Sequence, residues 1–78
     1  MTEIAPPPVM DLSGVPCPDN FARILVRLEW MDEGDLLEVL VDDGEPIENV
    51  PPALLEEGHA IVEQERTPSG WRLLVRRT

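Results

Sequence analysis

Val9-Met10-Asp11-Leu12-Ser13-Gly14-Val15-Pro16-Cys17-Pro18 is the stretch from which the rest of the chain can be read. Val9 to Leu12 is short, mostly apolar and stopped by Ser13-Gly14, the pattern of a strand running into a turn. Pro18 suits the first position of a helix, where its missing N–H would have had no intrahelical partner, and this puts Cys17 at the N-cap. Phe21, Ile24, Leu25 and Leu28 then recur at the spacing of one helical face, with Arg23 and Arg27 pointing elsewhere. The spacing predicts a helix to about Met31.

Downstream, Asp32-Glu33-Gly34-Asp35 is a polar turn, and Leu36 to Val41, closed by Asp42-Asp43-Gly44, reads as a second strand. The pair Asp42-Asp43 before a helix is accounted for by capping. Pro46 opens a second helix, Asn49 is a candidate cap for a new start within it, and Pro51-Pro52 is expected to bend or restart it. Gly58 ends it in the C′ position. His59 to Arg66 and Trp71 to Arg77 form a hairpin around Thr67-Pro68-Ser69-Gly70. If Arg66 faces Trp71, a regular ladder sets Glu65 against Arg72, Glu63 against Leu74 and Val62 against Val75. That register puts Ile61 and Leu74 on a charged outer face, to which Leu36 and Leu40 add, making a candidate partner surface. The order is strand, helix, strand, helix, strand, strand. It predicts an α+β fold, a two-layer βαβαββ sandwich with two helices on one face of a four-stranded mixed sheet. A right-handed crossover between the first two strands makes them parallel and brings the start of the first helix, with Cys17, to the sheet's edge.

At 78 residues there is room for one core. Residues 1–8, ending in Pro6-Pro7-Pro8, read as a flexible proline-rich lead, and residues 9–78 as the single domain. Sixteen acids against six bases, all arginine, give a net charge of -10, so no basic stripe is present to displace counterions from nucleic acid or to hold an anionic membrane. A basic or apolar protein partner is the natural complement. One cysteine makes no internal disulfide, and the amino terminus has neither the basic region nor the apolar run of a signal peptide, which points to the cytoplasm.

Cys17 is the residue with chemistry to offer. A lone cysteine is ordinarily a small buried hydrophobe, but a position between two prolines at a helix start argues for a reachable thiol. A helix amino terminus favours an anion by about 1 kcal/mol, and Asp19, ~6 Å away, repels one by about as much. The near cancellation suits a thiol that accepts sulfur from an already reactive donor and not one that attacks a stable peptide or ester. His59 lies too far along the chain to make a recognisable Cys-His pair, no zinc ligand set can be assembled, and Trp30 and Trp71 read as packing residues. No metal or cofactor is expected.

Asp11-Leu12-Ser13-Gly14-Val15-Pro16-Cys17-Pro18 resembles the segment with which the TusA/SirA-like sulfur-carrier family opens its first helix on a Cys-Pro-x-Pro motif. Asp42-Asp43, Asn49-Val50-Pro51 and Glu57-Gly58-His59 resemble further family features in the same order, so that the likeness spans about Val9 to Arg77. It implies the same βαβαββ sandwich, and a cysteine that carries sulfane sulfur as a persulfide from a donor, such as a cysteine desulfurase, to an acceptor protein. Turnover then belongs to the relay, with this chain as a monomeric carrier. The chain departs from the motif at Asn20, which stands where the second proline would be, in Cys17-Pro18-Asp19-Asn20. Asn20 is able to reach back toward the N-cap region as a capping-box residue does, holding the helix start by a hydrogen bond in place of ring stiffness. The competing reading is a non-catalytic acidic interaction module whose thiol is incidental.

Overall fold

Strand alternation sets the two sides of the sheet. In the computed structural model, which describes residues 6–78, β2 (Leu36–Val41) buries Leu37, Val39 and Val41 and leaves Leu36, Glu38 and Leu40 half-buried on the other face. Around it stand β1 (Val9–Asp11), β3 (Ala60–Thr67) and β4 (Gly70–Arg76), with α1 (Asp19–Glu29) and α2 (Glu45–Glu56) between them in chain order. The spatial order is β1-β2-β4-β3, with β1 parallel to β2 and the other two pairings antiparallel. This is the expected four-stranded mixed sheet in an α+β fold. Of the proline-rich lead, residues 1–5 lie outside the described residues. Pro8 takes part in the sheet, its carbonyl accepting from the Glu38 N–H at 2.9 Å.

Both helices close over the same face. Ile24 and Leu28 of α1 and Val50 and Leu54 of α2 join Leu12, Leu37, Val39, Val41, Leu73 and Val75 in one core. Burying a side chain of this size contributes roughly 1.5–3 kcal/mol, so these residues carry most of the fold's stability. Phe21 and Leu25 pack against the edge of that core, completing the face of α1 read from spacing. The helix ends two residues earlier than predicted, where Trp30 and Met31 donate to the carbonyls of Arg27 and Leu28 in a tightened last turn. Trp30 lies outside this core. It is 84% exposed, because its place after the last helical residue swings it off the buried face.

α2 runs as one helix through Pro51 and Pro52, so Asn49 caps no new start. Val50 and Leu54, one turn apart and fully buried, hold it across the missing N–H groups. Its end follows the sequence reading. Gly58, at φ 91°, donates to Leu55, and His59 donates to Leu54, the two bonds of a Schellman cap that requires the left-handed region.

The hairpin departs from the regular ladder at one point. Arg66 faces Trp71, Glu65 faces Arg72 and Glu63 faces Leu74 as predicted, but a bulge at Val62 then brings Ile61 opposite Val75. One extra residue exchanges the faces of everything before it. Ile61 therefore packs against the core, and Val62, 47% exposed, looks outward.

Candidate functional site

Cys17 sits in the connection from β1 to α1, and three sets of bonds shape that connection. Asp11 accepts the Ser13 N–H at 3.0 Å, making the turn off the strand. Leu12 donates to Leu40 at 2.8 Å and Val15 donates back to Leu12 at 3.0 Å. Gly14 donates to Asp42 Oδ2 at 2.7 Å, tying the loop to the residue just past the end of β2. Asp42 is thus a loop anchor. The reading that Asp42-Asp43 caps α2 does not hold, since α2 starts from Gly44 with no side-chain cap. The parallel pairing of β1 and β2 brings the Gly14 amide and the Asp42 carboxylate to the same end of the sheet, and an oriented amide is a better partner there than water.

The helix begins one residue later than predicted. Pro18, joined to Cys17 by a cis peptide bond, is the N-cap, and Asp19 is the first helical residue, so Cys17 precedes the cap. The first-turn amides are largely engaged. Asn20 N–H donates to Pro16 at 3.1 Å, Phe21 N–H to the Asn20 Oδ1 at 2.6 Å, and Ala22 N–H to Pro18 at 3.0 Å. The backbone N–H groups of Asn20, Phe21 and Ala22 are therefore turned to acceptors other than the sulfur. What meets the sulfur is a side chain. Asn20 Nδ2 donates to Cys17 Sγ at 3.3 Å.

Cys17 is half-buried, with an unbridged thiol. Asn20 is wholly buried, the one polar residue so placed among the described residues. Asp19 is exposed beside them, and so is Pro18 at the N-cap. These four positions of the sequence come together as a unit: a reachable sulfur, a rigid turn, an exposed carboxylate and an enclosed amide.

The candidate partner surface is divided. Leu36 and Leu40 lie half-buried on the sheet face away from the helices, as read. Leu74 shares that face but is only 8% exposed. Its neighbours across the strands are Glu38 and Glu63, and Arg72 clasps both, at 2.7 Å and 3.0 Å, closing an ionic roof beside it. The two acids hold the Arg72 guanidinium firmly in its charged form, the Glu38 hydrogen bond first. Ile61 leaves this surface because of the bulge at Val62. Leu40 is the member closest to the thiol loop, through its carbonyl bond to Leu12.

Sequence reasoning also missed a small cluster at the end of β2. Asp43 accepts the Trp71 indole N–H at 3.0 Å and pairs with Arg66 at 3.3 Å, while Arg66 lies 5.5 Å from the Trp71 ring centroid. The predicted facing of Arg66 and Trp71 was the available signal. The Asp43 carboxyl is held below its ordinary value, chiefly by the Trp71 bond and then by the Gly44 N–H.

No helix among the described residues is long and apolar enough to cross a membrane. The profile of the family described as Sulfurtransferase TusA matches residues 9–77. A protein of Archaeoglobus fulgidus named "Putative sulfur carrier protein" is 30% identical over 70 residues, covering 88% of this chain and 80% of that one. A second of the same name and organism is 28% identical over 69 residues, covering 88% and 94%. "Putative sulfur carrier protein YedF" of Escherichia coli is 26% identical over 77 residues, covering 99% of this chain and 100% of the relative.

Proposed function

This chain belongs to the sulfurtransferase TusA family, and on that premise we propose that it is a sulfur carrier whose working atom is Cys17 Sγ. One observation carries the reading: the single cysteine is half-buried at the head of α1, inside the matched span, and receives a hydrogen bond from an enclosed amide. Cys17 as thiolate attacks the outer sulfur of a donor protein's persulfide. The new bond joins Cys17 Sγ to that sulfur, the donor's S–S bond breaks, and the donor's inner sulfur leaves as a thiolate. Delivery reverses the geometry, with an acceptor nucleophile attacking the carried sulfur and Cys17 leaving as thiolate. The sulfane atom is passed on at one oxidation level, so neither a cofactor nor an external reductant enters the exchange. Pro18 and Asp19 shape the surface that donor and acceptor read, and Leu40 with Leu36 extends it.

The donor class is a cysteine desulfurase and the acceptor is a second protein, with the chain acting as a monomer in the reducing cytoplasm, where a lone thiol stays unbridged. Incubation with a cysteine desulfurase and cysteine, or with polysulfide, followed by intact mass measurement, is the test. A gain of one sulfur that reductant removes is expected, and Cys17→Ser is expected to keep the fold and gain nothing. Loading retained in Cys17→Ser would overturn the assignment.

A second reading, an interaction module with an incidental thiol, is favoured by the outer side of α1. Val26 is 56% exposed and Trp30, one turn on, 84%, an apolar pair facing solvent. It requires partner capture that survives alkylation of Cys17 and is lost in Trp30→Ala.

A further inference from the structure

We propose that Asn20 is a positioning residue for Cys17, supplying from its side chain the hydrogen bond that holds and orients the reacting sulfur. The inference rests on the carrier reading for its purpose, although its geometry stands independently.

Enclosing an amide is costly unless each polar atom finds a partner. Asn20 is 0% exposed, and no buried side-chain nitrogen or oxygen among the described residues lacks a bond. The orientation of the carboxamide is settled by its neighbour. The Phe21 N–H, 2.6 Å away, is a donor and only the amide oxygen accepts it, so the NH2 must face the other way, and there it meets Cys17 Sγ at 3.3 Å. The same residue's backbone N–H is bonded to Pro16. Asn20 therefore clasps the Pro16-Cys17-Pro18 turn by main chain and side chain together, with its amide immobilised by burial. Sulfur accepts such a bond through its lone pairs, so a fixed N–H donor at this place fixes the direction from which the remaining lone pairs can attack. The first-turn backbone amides of Asn20 and Phe21 are bonded elsewhere, and the hydrogen bond that does reach the sulfur comes from the side chain. A proline at position 20 has no side-chain donor to offer. The substitution that sets this chain apart from the Cys-Pro-x-Pro pattern thus adds a contact to the sulfur.

The test compares Asn20→Leu, similar in shape without either hydrogen bond, with Asn20→Ala, which removes the donor to sulfur without adding bulk or charge. Each is checked for fold by circular dichroism and thermal melting. The iodoacetamide rate of Cys17 at one near-neutral pH is then read, with Cys17→Ser as the blank. Both variants are expected to lose alkylation rate, roughly three- to tenfold, while remaining folded. An unchanged rate in a folded variant would overturn the role, whatever happens to stability. Should Asn20→Leu fail to fold, Asn20→Ala decides by the same reading. These measurements use no sulfur donor, so their failure leaves the carrier reading standing, and failure of sulfur loading leaves them standing in turn.

Discussion

Asp43 makes one carboxylate serve an indole, a guanidinium and the backbone N–H of the next residue, Gly44. Its pKa and that of Asp11, lowered first by the Ser13 N–H, both lie below the ordinary 3.8. Both groups are depressed in the folded chain, so the stability they add is complete above about pH 3.8 and is lost as pH falls through the lower folded values. Trp71 reports this directly. With the exposed Trp30 changed to phenylalanine to silence it, the Trp71 emission is expected to shift with a midpoint below 3.8 and to stay flat above it. A midpoint at or above that value would mean that the indole bond does not persist in solution. The Arg66 pair adds little to the effect, because both partners are more than half exposed.

Among the elements, the β3–β4 hairpin is where a local rule and the tertiary structure part. Regular pairing carries Val62 inward, whereas the bulge carries Ile61 inward. The two arrangements assign opposite costs to neighbouring truncations. Ile61→Ala is expected to destabilise the domain by about 2 kcal/mol and Val62→Ala by less than about 0.5 kcal/mol. Urea unfolding of the two variants measures it, and the reverse order would restore the regular ladder. The turn end of the hairpin is fixed for a different reason. A Cβ at Gly70 would lie 2.3 Å from the Val41 carbonyl oxygen, so only glycine lets β4 start where it does beside β2.

At the scale of the molecule, charge opposes the fold that the core sustains. The chain carries -10, and its ion pairs occupy only Arg66 and Arg72 among the described residues. Repulsion among the remaining acids is long-ranged at low salt, where the screening length is roughly 20 Å at 0.02 M, and is largely removed near 0.3 M, where it is about 5 Å. The melting temperature is therefore expected to rise by about 2–5 °C between those concentrations. A fall would mean that the Arg72 clasp and the Arg66 pair outweigh the net repulsion.

Periodicity and punctuation in the chain were enough to determine its elements and their class. The spacing of Phe21, Ile24, Leu25 and Leu28, the short apolar run of Leu36 to Val41 between polar turns and the glycine after Glu57 each act within a few residues, and short-range sterics and burial leave them little choice. The thiol was legible for the same reason, since Gly14 to Pro18 is a local signal. Only the tertiary structure decided what depends on partners distant in sequence. It took Asp42 from a cap to the Gly14 amide, moved Ile61 inward through one bulged residue and closed Leu74 under a clasp spanning three strands. At Asn20 the two meet. The chain showed that a side chain there is able to reach back over its own turn, but burial and the competing Phe21 amide determined which of its atoms faces the sulfur.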